Sequence, residues 1–259
     1  MKYEQNIHNA ITRHIGVLPV FLVAVMVLIM AVSVPVGWAK GGKHVEELDG
    51  AEVFIEWNST DTDYGIQFFW DCSGFKNMKV RNTHGKLVLD IKTSRNVRAQ
   101  GLTEGFFESV EPPSSELSME EFMDRFPEGD YTFRGKGIEG EWLVGETELT
   151  HTLPTPPENL YPVEDDVVSH EGFLVGFDPV TVDTEGYPID IEFYVVVVEK
   201  EDDDPIRQVY EVILRPVQTW VWVPEEFLEP DTEYKLEVIA QEETGNRTIT
   251  ETGTFMTED

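Results

Sequence analysis

The stretch Leu228-Glu-Pro-Asp-Thr-Glu-Tyr-Lys-Leu-Glu-Val-Ile-Ala240 decides the fold of the second half of the chain. After a proline-containing turn, apolar residues stand at every second position from Tyr234 to Ala240, and the charged residues Lys235 and Glu237 stand between them. A period of two is typical of a strand with one buried face and one face toward solvent. The stretch therefore predicts a turn followed by a half-buried β-strand.

The rest of the second half follows the same pattern. From Ile189 to Val197 apolar residues again occupy alternate positions, and acidic turns at 199–205 and 243–246 separate the strands. No helix of useful length is predicted here. Short strands with regular turns over about 100 residues are typical of a β-sandwich.

The stretch from Leu228 to Ala240 closely resembles the L-x-P-x-T-x-Y-x-x-x-V-x-A run of fibronectin type III domains. Shorter stretches resemble the opening, second, third and last strands of that family: Pro157–Leu160, Leu174–Val180, Ile191–Val195 and Gly253–Thr257. Phe177 stands where the family usually has tryptophan. The resemblance covers roughly residues 157–258. It implies that Tyr234 is a tyrosine-corner residue whose hydroxyl bonds to nearby backbone, a structural role.

The first half is also rich in predicted strands. Apolar residues alternate at 53–57 and 66–70, and the segment Asn82-Thr-His-Gly85 between two further strands predicts a hairpin. One short helix is expected, because Ser118 and Glu121 have the spacing of a capping box. Pro127 is expected to end this helix.

A short internal sequence similarity indicates two sandwiches in tandem. Pro127-Glu-Gly-Asp-Tyr131 parallels Pro230-Asp-Thr-Glu-Tyr234 at an offset of 103 residues, which is about one sandwich domain. Such turns also recur in unrelated β proteins, so coincidence is the alternative. The proline-rich segment from Leu153 to Pro157 predicts a semi-rigid spacer. We therefore expect an all-β fold of two tandem immunoglobulin-like β-sandwiches, at 51–153 and 157–259, with the fibronectin type III-like one second.

The segment Gln100–Ser109 resembles uncharacterised secreted bacterial β proteins that precede a fibronectin type III module. This resemblance implies no known activity.

The N-terminal 39 residues have the pattern of an export signal. Ile15–Val34 is almost wholly apolar, basic residues precede it, and Gly37 and Ala39 suit a cleavage site. A run of this length also fits an uncleaved membrane anchor. We expect residues 1–39 to be a signal peptide or anchor and residues 40–50 a tether. Either way the remainder is expected to be secreted, periplasmic or in the cell envelope.

The charge excludes whole classes of partner. The chain has 50 acidic and 19 basic residues and a formal net charge of −31. Nucleic-acid binding requires clustered Lys and Arg, and docking on anionic lipid requires them too, so we expect neither. Membrane contact is expected only through the N-terminal segment, if that segment stays uncleaved. The partner is expected to be an unknown protein or a glycan.

No catalytic template fits the sequence. Gly135-Lys-Gly-Ile-Glu-Gly140 matches the spacing of a nucleotide-binding loop, but a strand follows where a helix is needed, so a hairpin turn is favoured. Cys72 is the single cysteine, and none of the scattered histidines after the leader is placed beside it. We expect it to be a small, weakly polar residue. No catalytic residue and no cofactor is therefore assigned.

Metal ligands are also not assigned. The segment 58–65 offers oxygen ligands at alternate positions, among them Asp61 and Asp63, but it lacks the later acidic ligands of a calcium loop, so a plain turn is favoured. Among so many acidic residues no carboxylate pair is informative. Glu104, Glu108 and Glu111 fit a solvated face equally well.

One surface question stays open at Trp220 and Trp222, which share a strand face opposite Val221 and Val223. If the valines point inward, two tryptophans are exposed and can stack on a sugar or a partner. We expect them to be core, because exposing large aromatics is costly.

Taken together, these patterns favour an exported, non-enzymatic binding or spacer module. The alternatives are a polysaccharide-acting enzyme in the first half, or a calcium-dependent carbohydrate-binding or adhesion module there.

Overall fold

The structure, a computed structural model, describes residues 44–202 and 207–259. These residues fall within one compact unit, Lys40–Asp259. The predicted leader at 1–39 lies outside the described residues. Within the described part of the chain, no helix combines the length and the apolar character needed to cross a bilayer.

The described residues form an all-β fold, and the predicted β-sandwich class is confirmed. The strands are β1 (Val45–Glu47), β2 (Gly50–Asn58), β3 (Asp63–Arg81), β4 (Leu87–Lys92), β5 (Leu102–Glu108), β6 (Gly129–Gly137), β7 (Trp142–Leu149), β8 (Val167–Val168), β9 (Gly172–Gly176), β10 (Ile191–Lys200), β11 (Val209–Leu214), β12 (Trp220–Pro224), β13 (Glu233–Glu242), β14 (Arg247–Glu251) and β15 (Phe255–Thr257). The helices are α1 (Arg95–Gln100), α2 (Met119–Arg125) and a 3₁₀ turn at Glu225–Phe227.

The long strand β3 organises the first half. Its N-terminal part pairs with β2 and β5, and its C-terminal part pairs with β4 and β6. The pairing is irregular between Asp71 and Phe75, where Gly74 has a φ of 150°. Irregularities of this kind typically bend a strand. The ring centroid of Trp70, before the irregularity, lies 6.1 Å from that of Phe133 on β6.

The predicted tether is shorter than expected at its C-terminal end. Strand β1 lies within residues 40–50 and pairs in parallel with β7, and the amide of Leu48 donates to the carbonyl of Val144 at 2.9 Å. The polar composition of this segment conceals the pairing because an edge strand buries little of its own side-chain surface.

Helix α2 has a sequence signal that predicts it, whereas helix α1 has none. At α2 both halves of the predicted capping box are present, with Ser118 accepting from the Glu121 amide. No sequence pattern predicts helix α1. It buries none of its residues and its N-cap residue, Ser94, makes no side-chain capping bond, so no apolar period marks it.

The second half is a two-layer sandwich. One layer is the pair β9 and β12, and the other contains β11, β10, β13 and β14 with β15 and β8 beside them. The buried side chains between the layers include Val175 and Val223 from the first and Tyr194, Leu236 and Val238 from the second. Alternation of side chains along each strand produces this core.

The tyrosine corner implied by the fibronectin resemblance is present. The Tyr234 hydroxyl accepts a 2.8 Å hydrogen bond from the backbone amide of Glu229, and the ring is fully buried. Tyr131, the parallel residue of the first half, is equally buried, but none of the described residues forms a hydrogen bond with its hydroxyl. The similarity between 127–131 and 230–234 therefore corresponds to two buried tyrosines, of which Tyr234 forms a tyrosine corner.

The two halves share one sheet. Strand β14 pairs on one side with β13 and on the other, in parallel, with β2 of the first half. Asn246, which is completely buried, reinforces this junction: its side-chain oxygen accepts from the Ile55 amide at 2.8 Å, and its side-chain nitrogen donates to the carbonyls of Thr150 and Thr152 at 3.0 Å. The hydrophobic cores stay separate, one within 53–153 and one within 160–255. The predicted domain boundary at 153–157 stays a prediction. The two cores are separate, but the main-chain pairing of β14 with β2 joins the two halves.

We predict that Tyr234→Phe lowers the free energy of unfolding by about 1–3 kcal/mol, because a partly buried hydrogen bond is lost and the Glu229 amide has no acceptor in its place. Chemical denaturation measures this change. Tyr187→Phe, at an exposed tyrosine, is the matched control and is expected to have no measurable effect. Equal stability of the Tyr234 variant and wild type would contradict a structural role for this hydroxyl.

Candidate functional site

The most distinctive described surface is formed by the two tryptophans of β12. Trp220 and Trp222 are 56% and 53% exposed. The alternating residues of the same strand, Val221 and Val223, are buried. The expectation that these tryptophans are core is wrong. The valines fill the space between the two layers, and strand alternation then places both indoles on the outer face.

Strand β9 extends this aromatic face. Leu174, which pairs with Trp222, is exposed on the same side, and Gly176, which pairs with Trp220, has nothing within 4 Å of the place where a Cβ would stand. On the far side of Gly176 lies the exposed Tyr161, joined to it by two backbone hydrogen bonds of 2.8 and 3.1 Å. The glycine therefore leaves an open notch between two aromatic side chains.

The indole of Trp222 has a defined support. A Cβ at Gly172 would come within 2.6 Å of the Trp222 ring, so the ring lies over this glycine. The neighbouring Tyr210 hydroxyl donates a 3.1 Å hydrogen bond to the carbonyl of Trp222. We call the surface of Tyr161, Leu174, Gly176, Trp220 and Trp222 the aromatic platform. An exposed aromatic surface of this kind is suited to stacking against a ligand.

Cys72 has the environment of a structural residue. Its side chain is 3% exposed, and its thiol lies 3.5 Å from the carbonyl of Thr103. Burial raises the pKa of the Cys72 thiol to about 11. A nucleophilic cysteine needs the opposite, a lowered pKa and an accessible sulfur.

The two loops with ligand-like spacing are both hairpin turns. The glycine-spaced segment 135–140 comprises the last residues of β6 and most of the turn that leads to β7, with Gly140 at a φ of 96°. Residues 59–62 connect β2 to β3, and the Asn58 side-chain oxygen accepts from the amides of Thr60 and Asp61 at 3.0 and 3.1 Å. Asp61 is exposed in this turn, whereas Asp63 is buried at the start of β3.

The three glutamates near β5 do not share one environment. Glu104 is exposed, as a solvated face requires, but Glu108 and Glu111 are half-buried. Burial raises the pKa of Glu108 to about 7 and that of Glu111 to about 8. Their neighbour is Glu56, from a strand about 50 residues away in sequence, and no local spacing could have revealed it.

A wide surface depression lies between α2 and the β3–β4 hairpin. His84 and His151 both line it, with Met119, Met123 and Phe126. The His151 ring nitrogen is already engaged, at 2.8 Å from the Phe126 carbonyl oxygen. This histidine therefore ties the end of α2 to the segment that follows β7.

The chain has little detectable sequence similarity to known proteins. No protein-family model and no curated protein matches the chain. Among solved structures, it is similar to the crystal structure of chicken CNTN1 FN1-FN3 domains, with a TM-score of 0.37 and 12% sequence identity. The similarity covers 83% of this chain and 64% of that chain.

We predict that Cys72 in the native protein does not react with Ellman's reagent at pH 8 over an hour, since the thiol is buried and its raised pKa keeps it protonated. The same sample in guanidinium should release one equivalent of chromophore at once. Rapid labelling without denaturant would show an accessible thiolate and would restore Cys72 as a candidate nucleophile.

Proposed function

We propose that this protein is an exported, non-enzymatic β-sandwich module that binds a neutral glycan chain on the aromatic platform. The observation that carries the proposal is the exposure of Trp220 and Trp222 side by side on one strand face. The rigid sandwich beneath them serves to present that face.

The shape of the platform favours a sugar over a large apolar partner. The C–H faces of a pyranose ring stack on aromatic rings, and the notch at Gly176 separates Trp220 from Tyr161 without any side chain between them. A chain of sugars can lie along the strand direction, because alternate residues of a strand stand about 6.6 Å apart.

The charge of the protein argues for a neutral ligand. With a formal net charge of −31, the protein repels polyanionic glycans, lipid surfaces and nucleic acids at low and moderate salt. A neutral polysaccharide meets no such repulsion.

Export is part of the proposal, and its support is the sequence of residues 1–39. A protein outside the cytoplasmic membrane meets envelope and environmental polysaccharides. A non-enzymatic role is proposed because the cysteine is buried with a raised pKa and the loops with ligand-like spacing are hairpin turns.

Affinity electrophoresis of the purified protein against neutral polysaccharides tests the proposal, with β-glucan, xylan and galactomannan as probes. At least one polysaccharide is expected to retard wild type. Trp220→Ala and Trp222→Ala should each weaken that binding roughly tenfold or more, as is typical for exposed aromatic residues at the centre of a binding surface. Gly176→Val should weaken it as well, because the new side chain fills the notch while the backbone there suits any residue.

Ile213→Ala is the matched control, since Ile213 is an exposed apolar residue on the other layer. It should bind as wild type does. Retardation that survives both tryptophan substitutions would contradict the platform as the binding surface. The absence of retardation by every neutral polysaccharide would contradict the glycan assignment.

A further inference from the structure

Four acidic side chains lie on one face of the first-half sheet beside the junction. Glu56 on β2 pairs with Gly65 on β3, and Gln67 pairs with Glu108 on β5. Because paired residues point to the same side and alternate residues share a face, Asp63 also belongs to this face. The segment after β5 adds Glu111, whose carboxylate lies over Gly65, in the space that a side chain at that position would fill.

Three of these carboxylates converge. One oxygen each from Glu56, Glu108 and Glu111 lies within 4.8 Å of the other two. Calcium binds oxygen ligands at 2.3–2.6 Å, so ligands on opposite sides of one ion stand up to about 5 Å apart. The three oxygens are therefore spaced as ligands of a single cation.

Within the part of the chain that the structure describes, the single positive charge of Arg247 does not balance the negative charge of this group. Arg247 pairs with Glu56 at 2.6 Å and also donates to the Gln67 side chain. Asp63 is only 8% exposed, and its Oδ1 has no hydrogen-bond partner among the described residues. Oε1 of Glu111 is also buried without a partner within 44–202 and 207–259. Buried carboxylate oxygens without donors are costly unless a proton or a cation compensates them.

The electrostatics of the group agree with this interpretation. Burial raises the pKa of Glu111, and the neighbouring Glu56, Glu108 and Asp63 raise it further. The pKa of Asp63 is raised to about 6, by burial first and then by Asp61 and Glu251.

We propose that Glu56, Glu108 and Glu111 bind one calcium ion, with Asp63 as an additional acidic group beside it. A set of carboxylates alone selects hard cations and disfavours zinc or copper. Calcium fits better than magnesium, because magnesium demands near-ideal octahedral geometry and retains its waters. The site differs from the turn at 58–65, since only Asp63 is common to both, and it is independent of the aromatic platform in the second half.

The position of the ion assigns it a structural role. Glu56 pairs across the junction with Arg247 of β14 in the parallel register. Neutralising the surplus negative charge at this point stabilises the contact between the halves.

Isothermal titration of the EDTA-treated, dialysed protein with CaCl₂ tests the proposal, in about 150 mM NaCl to screen the acidic surface. Wild type is expected to bind one equivalent saturably, and calcium should raise its melting temperature. Glu108→Gln and Glu111→Gln should each weaken binding at least tenfold. Both variants are expected to fold, because the amide removes uncompensated charge at nearly constant shape.

Glu104→Gln is the matched control, at an exposed glutamate of the same strand, and should bind calcium as wild type does. The proposal is overturned if wild type shows no saturable heat, in which case a higher melting temperature for calcium-free Glu111→Gln would identify shared protons as the compensation. An equal loss of binding in Glu104→Gln would indicate diffuse surface attraction and would also overturn it. Tighter binding of MgCl₂ than of CaCl₂ would overturn the assignment to calcium.

Discussion

Main-chain pairing between β14 and β2 is the constraint on which the rest of the structure depends. The register places Arg247 opposite Glu56 and Ile249 opposite Asn58, and Ser59 continues the junction by donating its amide to the Ile249 carbonyl at 2.9 Å. Two halves with separate cores thereby become one hydrogen-bonded unit. Without this pairing, β14 and β2 would each leave an unpaired strand edge that another chain could bind.

The junction also explains why polar residues are buried there. Asn246, a residue of the second half, bonds through its side chain to backbone groups of the first half, and the Thr248 hydroxyl donates to the Pro154 carbonyl at 2.7 Å. Each of these groups leaves water only because a partner is in place, so the polar contacts define one register between the halves. At the carboxylates beside Arg247, by contrast, the described residues do not balance the negative charge.

The aromatic platform lies on a different part of the molecule and has a different physical origin. It exists because the layer of β9 and β12 is narrow and carries two glycines, at 172 and 176, under and beside its tryptophans. The outer face of that layer is left without a covering element among the described residues. The sandwich therefore presents a rigid apolar surface instead of closing over it.

Much of the fold could be predicted from local pattern, and the sites could not. Alternation from Tyr234 to Ala240, the Asn82–Gly85 hairpin and the Ser118 cap are local signals, and each is found in the structure. The predicted orientation of Trp220 and Trp222 is wrong, because a strand with apolar residues on both faces does not reveal which face meets the core. The proximity of Glu56 to Glu111 depends on strand order, which composition and spacing do not encode. The same holds for the parallel pairing of β14 with β2.

Whether the junction makes the two halves unfold together can be measured at Cys72, which is buried in the first core and reports the unfolding of that half. Leu236→Ala removes a fully buried side chain from the second core and should cost about 2–5 kcal/mol. If the junction joins the halves into one cooperative unit, this substitution lowers the guanidinium concentration at which Cys72 becomes reactive. It should lower that midpoint as much as it lowers the midpoint for loss of the second-half β-structure. An unchanged midpoint for Cys72 labelling in the variant would contradict the account, because the halves would then unfold independently.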